Sequence, residues 1–170
     1  MGKKVYVSLH SRENSAFSVC HACKAYYPLV KQLLSDEGNK LHFVYRFFPL
    51  VNLHPNAFEA DQAAYAAYKQ GQFWEMYDAL YTNQNDWANL SDPTGTFTDY
   101  ARQLKLNLKQ FRADLNSGAT KKYVQDSENE ALSEGINQTP TFFINGVEIK
   151  NPSSYANFKQ LIDQAFSKPK

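Results

Sequence analysis

Charge of one sign is what this 170-residue chain has least of: 18 lysines and arginines stand against 17 aspartates and glutamates. No run of like charge breaks the balance, so nothing marks a site for nucleic acid or an anionic membrane. Long apolar runs are missing as well. No stretch approaches the ~20 residues of a membrane-spanning helix, and the opening MGKKVYVSLHS lacks the apolar centre of a signal peptide. The start Met1-Gly2 fits a trimmed targeting segment and a cytosolic chain equally well.

Histidine is sparse and scattered, at His10, His21, His42 and His54. Cysteine is rarer still, with both copies in CHAC, at Cys20 and Cys23. Two chemistries use the C-x-x-C spacing: a redox dithiol at a helix N-terminus, or half of a zinc site. Zinc needs two further ligands grouped nearby, and the dispersed histidines argue against them, so no metal is expected.

What the chain does have is apolar and aromatic residues, 43% and 15%. That suffices for one well-buried domain with an embedded subdomain. KKVYVSL is a candidate first strand. After CHAC, Tyr26, Val30, Leu33 and Leu34 recur at helical spacing up to Gly38, so the dithiol opens a helix, with a kink expected at Pro28. Helix N–H groups and dipole favour a thiolate on Cys20 and make it the nucleophile. KLHFVYRFFPL reads as a buried strand ending at Pro49, which completes a βαβ unit.

At the other end, TFFI, Asn145-Gly146 and VEI form a hairpin signal with a type I′ turn. A closing amphipathic helix carries Phe158, Leu161, Ile162, Ala165 and Phe166, with Ser153 and Ser154 as caps. The middle switches to helical periodicity. Ala60, Ala63, Ala64, Ala67 and Tyr68 make one stripe, Phe73, Met76, Tyr77, Leu80 and Tyr81 a second, and Phe97, Tyr100, Ala101 and Leu104 a third. Weaker signals cover 108–115 and 120–134. Such stripes read as core packing.

The segments CHACKAYYPLV, FVYRFFPLVNLHPNAFEADQAAYAA, QGQFWEMYDALY and GINQTPTFFINGVEI, in that order, resemble the DsbA-type thiol:disulfide oxidoreductases. That resemblance implies an α/β thioredoxin fold, βαβ plus ββα, with an inserted all-helical subdomain. The expected division is 1–52 with 137–170 for the thioredoxin-like part and 53–136 for the insertion. It implies Cys20 as nucleophile, Cys23 as resolving cysteine, His21 and Ala22 as tuning residues, and a cis bond at Pro140, with Thr139 pairing to an extended substrate. Pro140 is expected at the sheet edge, where its missing N–H costs no ladder bond.

The implied activity is oxidation of cysteine-containing exported proteins, with no cofactor beyond the Cys20–Cys23 disulfide. The potential is expected between about −120 and −230 mV. The implied partners are substrate proteins and a membrane-bound oxidant of the DsbB or VKOR kind, with no nucleic acid and a monomeric state. Disulfide chemistry points to the periplasm or another extracytoplasmic compartment, with the cytoplasm as alternative. A reductase or isomerase of the same fold, or a non-redox zinc-binding or substrate-holding module, are the competing functions. One departure from the family pattern is the long segment HSRENSAFSV before Cys20, where no proton-relay acid is identifiable. Glu13 and His54 read as loop residues, and Arg46 as a strand residue reaching to the surface.

Overall fold

The computed structural model describes residues 5–11, 21–49 and 56–167. Strand β1 (Val5–Ser11) is followed by helix α1 (His21–Glu37), a 3-10 turn and strand β2 (Leu41–Phe47). Helices α2 (Ala57–Tyr68), α3 (Phe73–Thr82), α4 (Gln84–Trp87), α5 (Thr94–Gln103), α6 (Leu108–Leu115) and α7 (Gly118–Ser133) come next. Strands β3 (Thr141–Ile144) and β4 (Val147–Ile149) and helix α8 (Tyr155–Ser167) close the chain.

The four strands lie in the order β2-β1-β3-β4. β1 runs parallel to β2, from Val5 opposite Leu41 to Ser11 opposite Phe47, and antiparallel to β3. This is a thioredoxin fold: βαβ and ββα halves share one sheet, and the helices α2 to α7 come between them in sequence. α1 continues through Pro28, whose ring lies exposed. It stops where Gly38 takes φ +50°, a conformation that favours glycine. Asn145 and Gly146, at φ +52° and +79°, form the tight β3–β4 turn that Asn-Gly encodes.

One expectation is corrected here. β3 is an interior strand, not an edge, and Pro140 costs no ladder bond because it precedes the first pair, Thr141 opposite His10. Two cores result. Val5, Val7, Val30, Leu33, Phe142 and Phe158 pack α1 and α8 on the sheet. In the helical part α2 is central, and its alanines Ala60, Ala63, Ala64 and Ala67 let α3, α6 and α7 approach closely. Phe47, at the end of β2, joins that second core.

Side-chain caps explain the starts of α6, α7 and α8. Ser117 accepts from the N–H of Thr120 at α7, and Asn107 from that of Gln110 at α6. At α8, Ser154 accepts from the Asn157 N–H while Asn157 accepts from the Ser153 N–H. The short helix α4 has no sequence signal of its own. It is held by Asn56, whose buried amide donates to the carbonyls of Trp87, Ala88 and Leu90 at 2.9, 3.2 and 2.8 Å.

Candidate active site

Cys23 is the third residue of α1, and only 3% of it is exposed. Its Sγ lies 4.0 Å from the Thr139 hydroxyl oxygen, to which the thiol donates. The Thr139–Pro140 peptide bond is cis. Side chains from both flanks hold this turn. The Thr141 hydroxyl donates to Gln138 O at 2.6 Å, and the Asn151 amide donates to Pro140 O at 2.7 Å. Tyr26 of α1 donates to Pro152 O at 2.8 Å, so the helix of the dithiol and the loop behind β4 are tied together.

Tyrosines form the other wall. Tyr77 and Tyr81 of α3 pack on Cys23, with Tyr27 of α1, Tyr45 of β2 and Phe73 of α3 around them. Tyr27 stacks on Tyr81 with ring centroids 5.6 Å apart and planes 5° from parallel. Tyr77 meets Tyr45 edge-on at 5.3 Å. The hydroxyls of Tyr45 and Tyr81 are 3.4 Å apart. Burial, then the charges of Cys23, Tyr27 and Asp78, push the Tyr77 phenol well above the usual tyrosine range, so it stays neutral.

A polar clamp docks α3 on α1. The Tyr27 hydroxyl donates to Asp78 Oδ1 at 3.0 Å, and Lys31 Nζ reaches Asp78 Oδ2 at 2.5 Å and Tyr27 at 3.3 Å. Hydrogen bonding to Asp78 and then Tyr27 raises the Lys31 pKa. The clamp exists because Cys23, Tyr27 and Lys31 are spaced i, i+4, i+8 on one helix face, and Tyr77, Asp78 and Tyr81 lie together on α3.

Of the residues singled out in the sequence, Cys23, Thr139 and Pro140 come together. His21 and Ala22 are the first two residues of α1. Cys20, Glu13, His54 and the segment 12–19 lie outside the described residues, as does the expected domain boundary at 52/53. Arg46 pairs with Glu130 of α7 at 3.2 Å on the surface, and His42 is exposed on β2. Sequence reading missed Tyr27, Tyr77, Tyr81, Asp78 and Asn151 as site neighbours. The four-residue step from Cys23 to Tyr27 was a usable signal, whereas Tyr77 and Tyr81 looked like any core stripe. Among the described residues no three His, Cys, Asp or Glu side chains converge on a point that would hold a metal. None of their helices is long and apolar enough to cross a membrane.

A family model described as thioredoxin matches residues 15–164. The chain is 31% identical over 148 residues to a protein named Na(+)/H(+) antiporter NhaA 1 from Mycolicibacterium vanbaalenii. That match covers 85% of this chain but 23% of the antiporter, so the chain spans about a quarter of the curated relative. Oxidised BdbD from Bacillus subtilis superposes with TM-score 0.77 at 20% identity, covering 99% of this chain and 92% of that one. The thiol-disulfide exchange protein alpha-DsbA2 from Wolbachia pipientis gives 0.75 at 18%, covering 95% and 82%. The dithiol spacing, the buried second cysteine against a cis-proline turn and these matches together mean that the chain belongs to the thioredoxin family and has the DsbA-type form of its fold.

Proposed function

We propose that the protein is a dithiol–disulfide oxidoreductase that acts as an oxidase, donating the Cys20–Cys23 disulfide to cysteine-containing exported proteins. The observation that carries this reading is the contact of Cys23, buried in the first turn of α1, with the Thr139–Pro140 turn. Cys20 stands just before that helix in sequence, where unpaired N–H groups favour a thiolate.

A substrate thiolate attacks Cys20 Sγ. The Cys20–Cys23 bond breaks, and its electron pair leaves on Cys23. A second substrate thiolate then attacks the substrate sulfur of the mixed disulfide, which forms the substrate's disulfide and releases Cys20 as thiolate. Thr139 offers its backbone to the substrate as an extended strand. His21 and Ala22, between the two cysteines in sequence, tune the dithiol, His21 by its positive charge when protonated. A membrane-bound oxidant of the DsbB or VKOR kind returns the pair to the disulfide. The compartment is periplasmic or otherwise extracytoplasmic, where such disulfides persist. Residues 1–52 and 137–170 carry the exchange chemistry, and the insertion 53–136 shields it.

Equilibration of the dithiol against glutathione buffers tests the direction. A potential near about −120 mV supports the oxidase, and one near about −270 mV makes the protein a reductase. Cys20→Ser should abolish exchange, while Cys23→Ser should accumulate the mixed disulfide.

A further inference from the structure

We propose that Asn151 and Thr141 are positioning residues that restrict a substrate peptide to a single backbone rung, Thr139, and so fix its register against the dithiol. This rests on the dithiol-exchange reading above, in which Thr139 offers its backbone to the substrate.

The carbonyls on either side of Thr139 are both bonded from within the protein. The Thr141 hydroxyl donates to Gln138 O at 2.6 Å, and the Asn151 amide donates to Pro140 O at 2.7 Å. Pro140 has no N–H to offer, and Thr141 is already paired with His10 of β1. Among the described residues nothing bonds the N–H or the carbonyl of Thr139, while its hydroxyl accepts from the Cys23 thiol. An antiparallel strand exchanges two hydrogen bonds with one facing residue. Thr139 can make that exchange, and a strand slipped by one residue would meet a carbonyl that is already occupied. Register matters because such a slip turns every side chain to the other face. The substrate's cysteine would then point away from the dithiol.

The loop that carries Asn151 also ties this rung to the helix of the dithiol. Asn151 lies between β4, which ends at Ile149, and α8, which begins at Tyr155. Its neighbour Pro152 accepts the Tyr26 hydroxyl at 2.8 Å, and Tyr26 is one helical turn beyond Cys23. Farther on, the Ser153 N–H donates to Asn157 and the Asn157 N–H to Ser154, which anchors the loop on α8. A closed circuit therefore runs from Cys23 through Thr139, Pro140, Asn151, Pro152 and Tyr26 back to α1. Thr141 and Asn151 act through the backbone of Thr139, which they hold between two fixed carbonyls.

The test measures how fast the oxidised full chain is reduced by an excess of a two-cysteine peptide, and by dithiothreitol, a dithiol without a peptide backbone. The peptide is scanned by methylating one backbone nitrogen at a time. In the wild type, methylation should slow the reaction at one position only, by about two- to tenfold, the range of one neutral hydrogen bond. Asn151→Ala and Thr141→Val should slow the unmodified peptide by a similar factor and leave the dithiothreitol rate unchanged, while Thr141→Ser keeps the wild-type rate. In the slowed variants the methyl group at that position should cost less than in the wild type, because two changes to one contact are not additive. No loss anywhere in the wild-type scan, or equal losses at several positions, overturns the single rung. A methyl cost in the variants equal to that of the wild type, or dithiothreitol slowed as much as the peptide, overturns the positioning role. A wild type that neither dithiol reduces would instead sink the exchange reading itself.

Discussion

The thiol of Cys23 and the hydroxyl of Thr139 lie 4.0 Å apart across 116 residues of sequence, so the first turn of α1 and the turn before β3 meet at one sulfur. The S–H donor exists only in the reduced protein, and its acceptor stabilises that state alone. Thr139→Val should make the protein less oxidising, shifting the equilibrium with glutathione about two- to tenfold toward the disulfide, the range of one neutral hydrogen bond. An unchanged equilibrium constant would remove Thr139 from the tuning of the dithiol.

The clamp of Tyr27 and Lys31 on Asp78 is partly exposed, with Asp78 41% and Lys31 58% accessible, so its ion pair is screened. Asp78→Ala should cost about 1 kcal/mol in urea unfolding, mostly from the Tyr27 hydrogen bond. The loss should shrink only slightly at high salt. A collapse of the difference at 1 M salt would assign the clamp to charge instead.

Asn56 should matter more, although it lies away from the sulfur. Its amide satisfies three carbonyls at the end of α4, and the residue is buried. Asn56→Ala should destabilise the fold by about 2–3 kcal/mol, because the Ala88 and Leu90 carbonyls lose the Asn56 amide and Trp87 O keeps only the Leu90 N–H. The glutathione equilibrium of the folded protein should not move.

Alkaline pH has a defined effect at α8. Tyr155 donates to Asp36, and this bond, then burial and the Asp36 charge, push its phenol up to about 12. The folded state holds the proton more tightly than the unfolded chain, whose value is 10.0. Stability from this bond is therefore complete below pH 10 and is lost as the pH rises to about 12. Tyr155→Phe should lower Tm below pH 10, and the difference from wild type should fade through that window. A constant difference to pH 12 would show that the ring alone matters.

How far the sequence was legible depended on the range of each signal. α6 was read at its observed bounds, and the Asn145-Gly146 turn was visible because type I′ geometry demands a positive φ that these residues tolerate. α7 begins at Gly118 rather than at Thr120, since its cap, Ser117, lies outside the apolar periodicity. α4 was invisible because four residues carry no period, and what holds them is the amide of Asn56.

By itself the sequence determined the C-x-x-C pair, the helix it opens, the strands on either side and the Thr-Pro before the last hairpin. Each is a local pattern, set by spacing along a few turns of backbone. Only the tertiary structure decided which tyrosines surround Cys23. Tyr77 and Tyr81 have the helical spacing of any buried stripe. Their meaning comes from the docking of α3 on α1 and β2, which depends on shape and hydrogen bonds between segments far apart in the chain.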